Sequence, residues 1–239
     1  MASMADVHIR PIVRDRLFFF IMSLAIGATV VTGFALQFAA GRSSLGAPWW
    51  VHVHGVTMVG WLTIYVTQNW LVWRGQTAAH RRLGVLAACY VGWVVIVGML
   101  TTPTTIAFHR DPPFFGSAVF MVMDWLTVLL FATFTWAGVA MRGRSDWHRR
   151  LMLCGAFVVM MPGLGRLSPL PILGSWILWG IFAAALPFWA AAMIYDLVTR
   201  RNVHPAYLLG FGAFVLETAL MRPIAALPPI AAFTRYLTG

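Results

Sequence analysis

Residues 52–84 read HVHGVTMVGWLTIYVTQNWLVWRGQTAAHRRLG. Two histidines open the stretch beside Trp49 and Trp50, an apolar run follows, and arginines from Arg74 to Arg82 close it. The apolar run is long enough for one helix to cross a bilayer, which takes roughly 20 residues. Within it His54, Met58, Trp61, Tyr65 and Gln68 fall at steps of four, three, four and three. That spacing puts all five on one helical face, and it is the face that carries the polar atoms.

The closing half of the stretch recurs. Arg74-Gly75, four residues, then His80-Arg81-Arg82-Leu83 is matched by Arg142-Gly143, four residues, then His148-Arg149-Arg150-Leu151. Six identities in ten residues, one of them a histidine, mark two hairpins of related build.

Composition sets the class. Hydrophobic residues make up 60% of the chain, charged residues 10%, and the mean hydropathy is +0.79. A soluble domain has about 25% charged residues, so the expectation is an all-α, polytopic membrane protein. Its 239 residues suffice for six to eight spans at about 20 residues each. Working outward from residues 50–73, the predicted spans are 17–40, 50–73, 83–102, 117–141, 151–167, 175–199 and 205–221. A polar tail of residues 1–16 precedes this seven-helix domain (17–222). A short proline-rich tail, 223–239, follows, and its prolines are expected to prevent an eighth helix. Pro162 and Pro187 should kink the helices that hold them. The first apolar run is too long for an ordinary signal-peptide core and reads as an uncleaved helix.

The net charge of +10 comes from arginines in short clusters between apolar runs, where they set topology rather than bind nucleic acid. One set of loops holds Arg10, 14, 16, 74, 81, 82, 142, 144, 149, 150, 200 and 201; the other holds Arg42, 110, 166, 222 and 235. Positive charge favours the cytoplasmic side, which predicts the N-terminus inside, the C-terminus outside and the bilayer as the main partner. The chain has no lysine, so a retinal Schiff base is impossible. Cys89 and Cys154 lie inside predicted spans and read as packing thiols, and no Cys-x-x-Cys-His offers covalent haem attachment.

Topology then sorts the polar residues by depth. His54, Asp124, Arg166 and Glu217 come from four different spans, and all fall near the periplasmic face. Each is costly in lipid, so they should converge inside the bundle. They read either as structural pairs, Asp124 with Arg166 and Glu217 with Arg222, or as a periplasm-facing cavity floored by Trp61 and Tyr65. Such a cavity would hold a small apolar ligand or a proton site. His52, on the opposite helical face, reads as interfacial, and His204 as a helix-start residue.

At the cytoplasmic face His80 and His148 follow identical loops. The residues favour helix starts beside arginine anchors to anionic lipid. The sharper alternative is axial ligation of one haem b. A second haem is disfavoured because His54 has no histidine partner. Two function classes stay open: a haem b or quinone-like redox or binding module, and a membrane enzyme or proton-coupled carrier using His54, Asp124, Arg166 and Glu217. A structural subunit of a larger complex is the third. No HExxH, phosphate-binding loop or Gly-x-Ser-x-Gly occurs, and His52-x-His54 alone is a weak metal signal.

The succession of a histidine opening span two, Trp61 and Gln68 within it, HRRLG at 80–84, HRRLM at 148–152 and Arg166 closing span five resembles a family of bacterial multi-helix membrane proteins of unknown function. The resemblance covers about residues 50–170. It implies the fold and the bacterial inner membrane and brings no established activity.

Overall fold

The computed structural model describes residues 4–168 and 170–239, and among these the chain is all helical, without strands. Nine α-helices follow one another: α1 (Met4–Ala39), α2 (Trp49–Trp73), α3 (Thr77–Ala107), α4 (Ser117–Ala140), α5 (Ser145–Val159), α6 (Met161–Leu167), α7 (Ile177–Arg200), α8 (Pro205–Ala225) and α9 (Pro228–Thr238). A 3-10 segment, Leu170–Trp176, leads into α7. Five helices are long and apolar enough to cross a membrane, and the bent pair α5–α6 makes a sixth candidate. The 25-residue α2 has the length, but its histidines, Gln68 and Asn69 lower its hydropathy, and it is not among them.

The helices form a bundle in which α1 to α5 pack in order, each on the next, and α5 returns against α1. Against this ring α8 packs on α4 and α5, and α6 on α1. Helices α2, α3 and α4 alternate in direction. Tyr90 and Trp93 of α3 donate hydrogen bonds to Thr57 of α2, and Trp125 of α4 donates to the Met99 carbonyl of α3. Trp61, Phe131, Phe157, Trp189, Tyr207 and Phe214 are buried between the helices.

The surface reverses the soluble pattern. Val31, Leu36, Val59, Leu86, Leu100, Ile194 and Val198 are exposed, while Arg150, Asp196 and Glu217 are buried. A continuous apolar exterior over a core that keeps its charges inside is what a bilayer selects.

The prolines act in three different ways. Span five is broken: α5 and α6 meet at a 42° bend. Pro162, at the start of α6, has no N–H for the carbonyl one turn back, so the helix cannot continue straight. By contrast, α7 runs through Pro187 without interruption. The proline-rich tail is helical, because Pro228 and Pro229 stand in the first turn of α9, where a missing N–H costs nothing.

At the break, the backbones of α1 and α6 come unusually close. A Cβ on Gly163 would stand 2.8 Å from the Val30 Cα, and one on Gly33 would strike the Gly163 carbonyl. Only glycine allows this approach. Gly163→Val should therefore destabilise the protein by about 1–3 kcal/mol, the usual cost of overpacking, read as a lower unfolding temperature in detergent. An unchanged midpoint would mean that α6 does not seat on α1 as described.

Candidate functional site

Helices α3 and α5 begin with the repeated motif, and the structure brings its two histidines side by side. The rings of His80 and His148 lie 6.1 Å apart, centroid to centroid, with their planes at 78°. His148 Nδ1 donates to the Gly138 carbonyl of α4 at 2.8 Å, which fixes the ring and leaves Nε2 free. Gln68 comes to the same turn of α3: its Nε2 stands 3.5 Å from where a Cβ on Gly84 would be. Two buried polar atoms here, His80 Nδ1 and Gln68 Oε1, have no partner. Both histidines are half-buried, whereas Arg81 and Arg82 are exposed.

The second copy of the motif uses its arginines differently. Arg150 is fully buried and bonds through two guanidinium nitrogens to Asp196 of α7; the Nε contact is 2.8 Å. It also donates to the Asp146 carbonyl and lies over the Tyr207 ring at 5.6 Å. Arg149 pairs with Asp15 of α1 at 2.9 Å, and Arg200 reaches the same carboxylate at 2.6 Å. The expected lipid anchor at 149–150 is thus corrected to an internal ion-pair network, while Arg81 and Arg82 keep the exposure an anchor requires. Three consecutive residues of α5 point three ways: His148 to α3, Arg149 to α1 and Arg150 to α7.

His204 caps α8 by accepting from the Ala206 N–H, as a helix-start residue should, and faces Asp146 at 3.2 Å. His52 is exposed and bonds to the Leu45 carbonyl, in keeping with an interfacial place. Cys89 is exposed, Cys154 is buried, and neither is bonded to the other.

At the opposite end the predicted set divides. Trp61 of α2 meets Phe131 of α4 edge-on at 5.0 Å. His54 and Asp124 each stand seven residues outward from that contact, about 10 Å at 1.5 Å per residue, so they share a depth. Their partners differ, however. Asp124 accepts from Thr102 of α3, and Glu217 accepts from Thr127 of α4 at 2.8 Å. Arg166 donates to the Pro162 carbonyl within α6 and lies 3.9 Å over Phe34. Arg222 donates to the Ser175 carbonyl. Neither expected ion pair forms, because a threonine on the adjacent helix is nearer to each carboxylate than any arginine. Trp61 and Tyr65 stack at 5.3 Å and are buried in the core.

Sequence reasoning missed Asp15, Asp196, Thr102 and Thr127. Asp196 carried a usable signal, since it is one of only seven acidic residues and lies in an apolar span. The threonines carried none. Comparison with known proteins returns no match among family models, curated proteins or solved structures.

Removing one member of a buried pair strands the other charge, at a cost of about 3–5 kcal/mol. Asp196→Asn and Arg150→Ala should each lower the unfolding midpoint in detergent sharply. The double change Arg150→Met with Asp196→Leu should recover most of the loss. If the single changes are silent, Arg150 is not held as described.

Proposed function

We propose that the chain is a seven-span protein of the bacterial inner membrane, with its N-terminus in the cytoplasm, that holds one haem b between His80 and His148. The observation that carries this reading is the facing pair of histidines from the two copies of the repeat. Their ring centroids stand 6.1 Å apart. Two neutral imidazoles so placed would hold the iron of one haem b between them.

His148 meets a further requirement. A ligating histidine usually donates its other ring nitrogen to a carbonyl or carboxylate, which orients it and raises its basicity. Gly138 supplies that carbonyl. Gln68, with its buried and unpaired Oε1, is the candidate partner for His80 Nδ1. Among the described residues no three histidine, cysteine or carboxylate side chains gather to hold a bare metal ion. Two protein ligands suit an iron already held by a porphyrin, which supplies one-electron chemistry when bound.

Residue types alone favour helix starts beside lipid anchors. The geometry weighs the other way, because both rings turn inward and the arginines of the second copy serve an internal network. The acid–base enzyme or carrier reading is less supported, since Asp124 and Glu217 are each tied to a threonine instead of pooled with His54. The seventh span in this reading is α2, supported by its length and by its packing between α1 and α3. The orientation rests on the twelve-to-five division of arginines, and the inner membrane on the resemblance of residues 50–170 to the bacterial family.

Purified protein should show a reduced-minus-oxidised haem b spectrum. His80→Ala and His148→Ala should each abolish it while the protein still inserts; a colourless wild type, or a spectrum that survives both changes, overturns the assignment. Reporter fusions after Arg42, Arg74, Arg110 and Arg144 should read out, in, out, in. Any inversion among the four breaks the topology.

A further inference from the structure

At the end of the bundle away from His80, two buried ring nitrogens stand one turn apart on α2. Trp50 Nε1 and His54 Nδ1 are both shielded from solvent and have no hydrogen-bond partner. A buried polar nitrogen without a partner is costly, so two on one helical face call for a ligand that meets them.

A third polar group lies at the same depth. Gly27 of α1 faces Leu62 of α2. From that contact Phe34 is seven residues outward along α1, and His54 is eight residues outward along α2. Both offsets amount to roughly 10–12 Å. Phe34 carries the exposed Arg166 guanidinium 3.9 Å over its ring, which sets that charge at the depth of His54. Gln37 of α1 holds the Arg166 carbonyl at 2.9 Å, which fixes the end of α6 in place. Among the described residues Arg166 has no carboxylate within ion-pair distance, and its guanidinium bonds to a carbonyl of its own helix.

We infer that Trp50, His54 and Arg166 form a binding site for a quinone, with its carbonyl oxygens as the acceptors. Trp and Arg only donate, and a neutral histidine donates from one nitrogen. The occupant must therefore present oxygen acceptors and bring no competing donors. Two exposed aromatic rings flank these groups: Phe108 lies 4.6 Å from the Trp50 ring, and Phe34 backs Arg166. A flat, apolar ring with carbonyl oxygens matches both features. The site stands within apolar helices that a membrane-dissolved molecule reaches from the lipid. A carboxylate or phosphate would also satisfy the donors but gains nothing from the aromatic rings. This inference does not depend on the histidine pair at the other end.

The test is a binding titration in detergent, followed by thermophoresis, with a short-tailed benzoquinone as probe. Saturable binding is expected. Trp50→Phe keeps the ring and removes only the N–H, and should weaken binding about tenfold, the worth of one good hydrogen bond. Arg166→Gln should weaken it further, and unfolding midpoints establish that both variants are folded. No saturable binding, or unchanged affinity in Trp50→Phe, overturns the inference. Preferential binding of decanoate, with no effect of the quinone, also overturns it and assigns the site to an anion. Since the titration reads the quinone directly, a protein that lacks haem can still pass it, and a haem protein can still fail.

Discussion

A charge inside a bilayer must find its opposite within the protein, and the Arg150–Asp196 pair is where this chain meets that constraint. Both side chains are excluded from solvent, at 0% and 1% exposure. Asp196 also accepts from the His204 backbone N–H, so the one carboxylate joins α5 and α7 to the start of α8. One turn away Asp15 draws Arg149 and Arg200 together and binds α1 to the same group. Four helices are thereby held in register at one end of the bundle. Each ion pair is costly by itself, and the hydrogen bonds around it offset the desolvation.

That register is what positions His148. It shares a helical turn with Arg150, so anchoring Arg150 to α7 sets the rotation of α5 about its axis. The same rotation turns His148 toward α3 and lets Nδ1 reach the Gly138 carbonyl. The ion pair thus acts on the histidine pair through helix geometry, without touching it. The two ends of the bundle carry different chemistry as a result. One presents paired imidazoles, the other a cluster of donors lacking an acceptor, with buried aromatic core between them.

Fold class was legible because composition and arginine placement report the solvent directly. The helix ends were less so. Pro228 and Pro229 were read as helix breakers, although proline is well suited to a first turn. The 42° break at Met160 was foreseen from Pro162, while α7 passed Pro187 uninterrupted. At the sites, depth was readable and partners were not. Counting residues put His54 and Asp124 near the same face, one and two turns into their spans. Which way a carboxylate turns depends on helix rotation, and an ordinary threonine such as Thr102 has nothing in the sequence to advertise it. The arginines of the second motif were misread for a related reason. Their partners, Asp15 and Asp196, lie far away along the chain, and each becomes a neighbour only once the bundle closes.

The central claim is that two imidazoles share one iron. It is tested most directly by electron paramagnetic resonance of the oxidised, purified protein. With both imidazoles held to the iron the ferric signal would be low-spin, and His148→Ala should remove it. A high-spin signal in the unaltered protein, or no haem iron at all, would contradict the account.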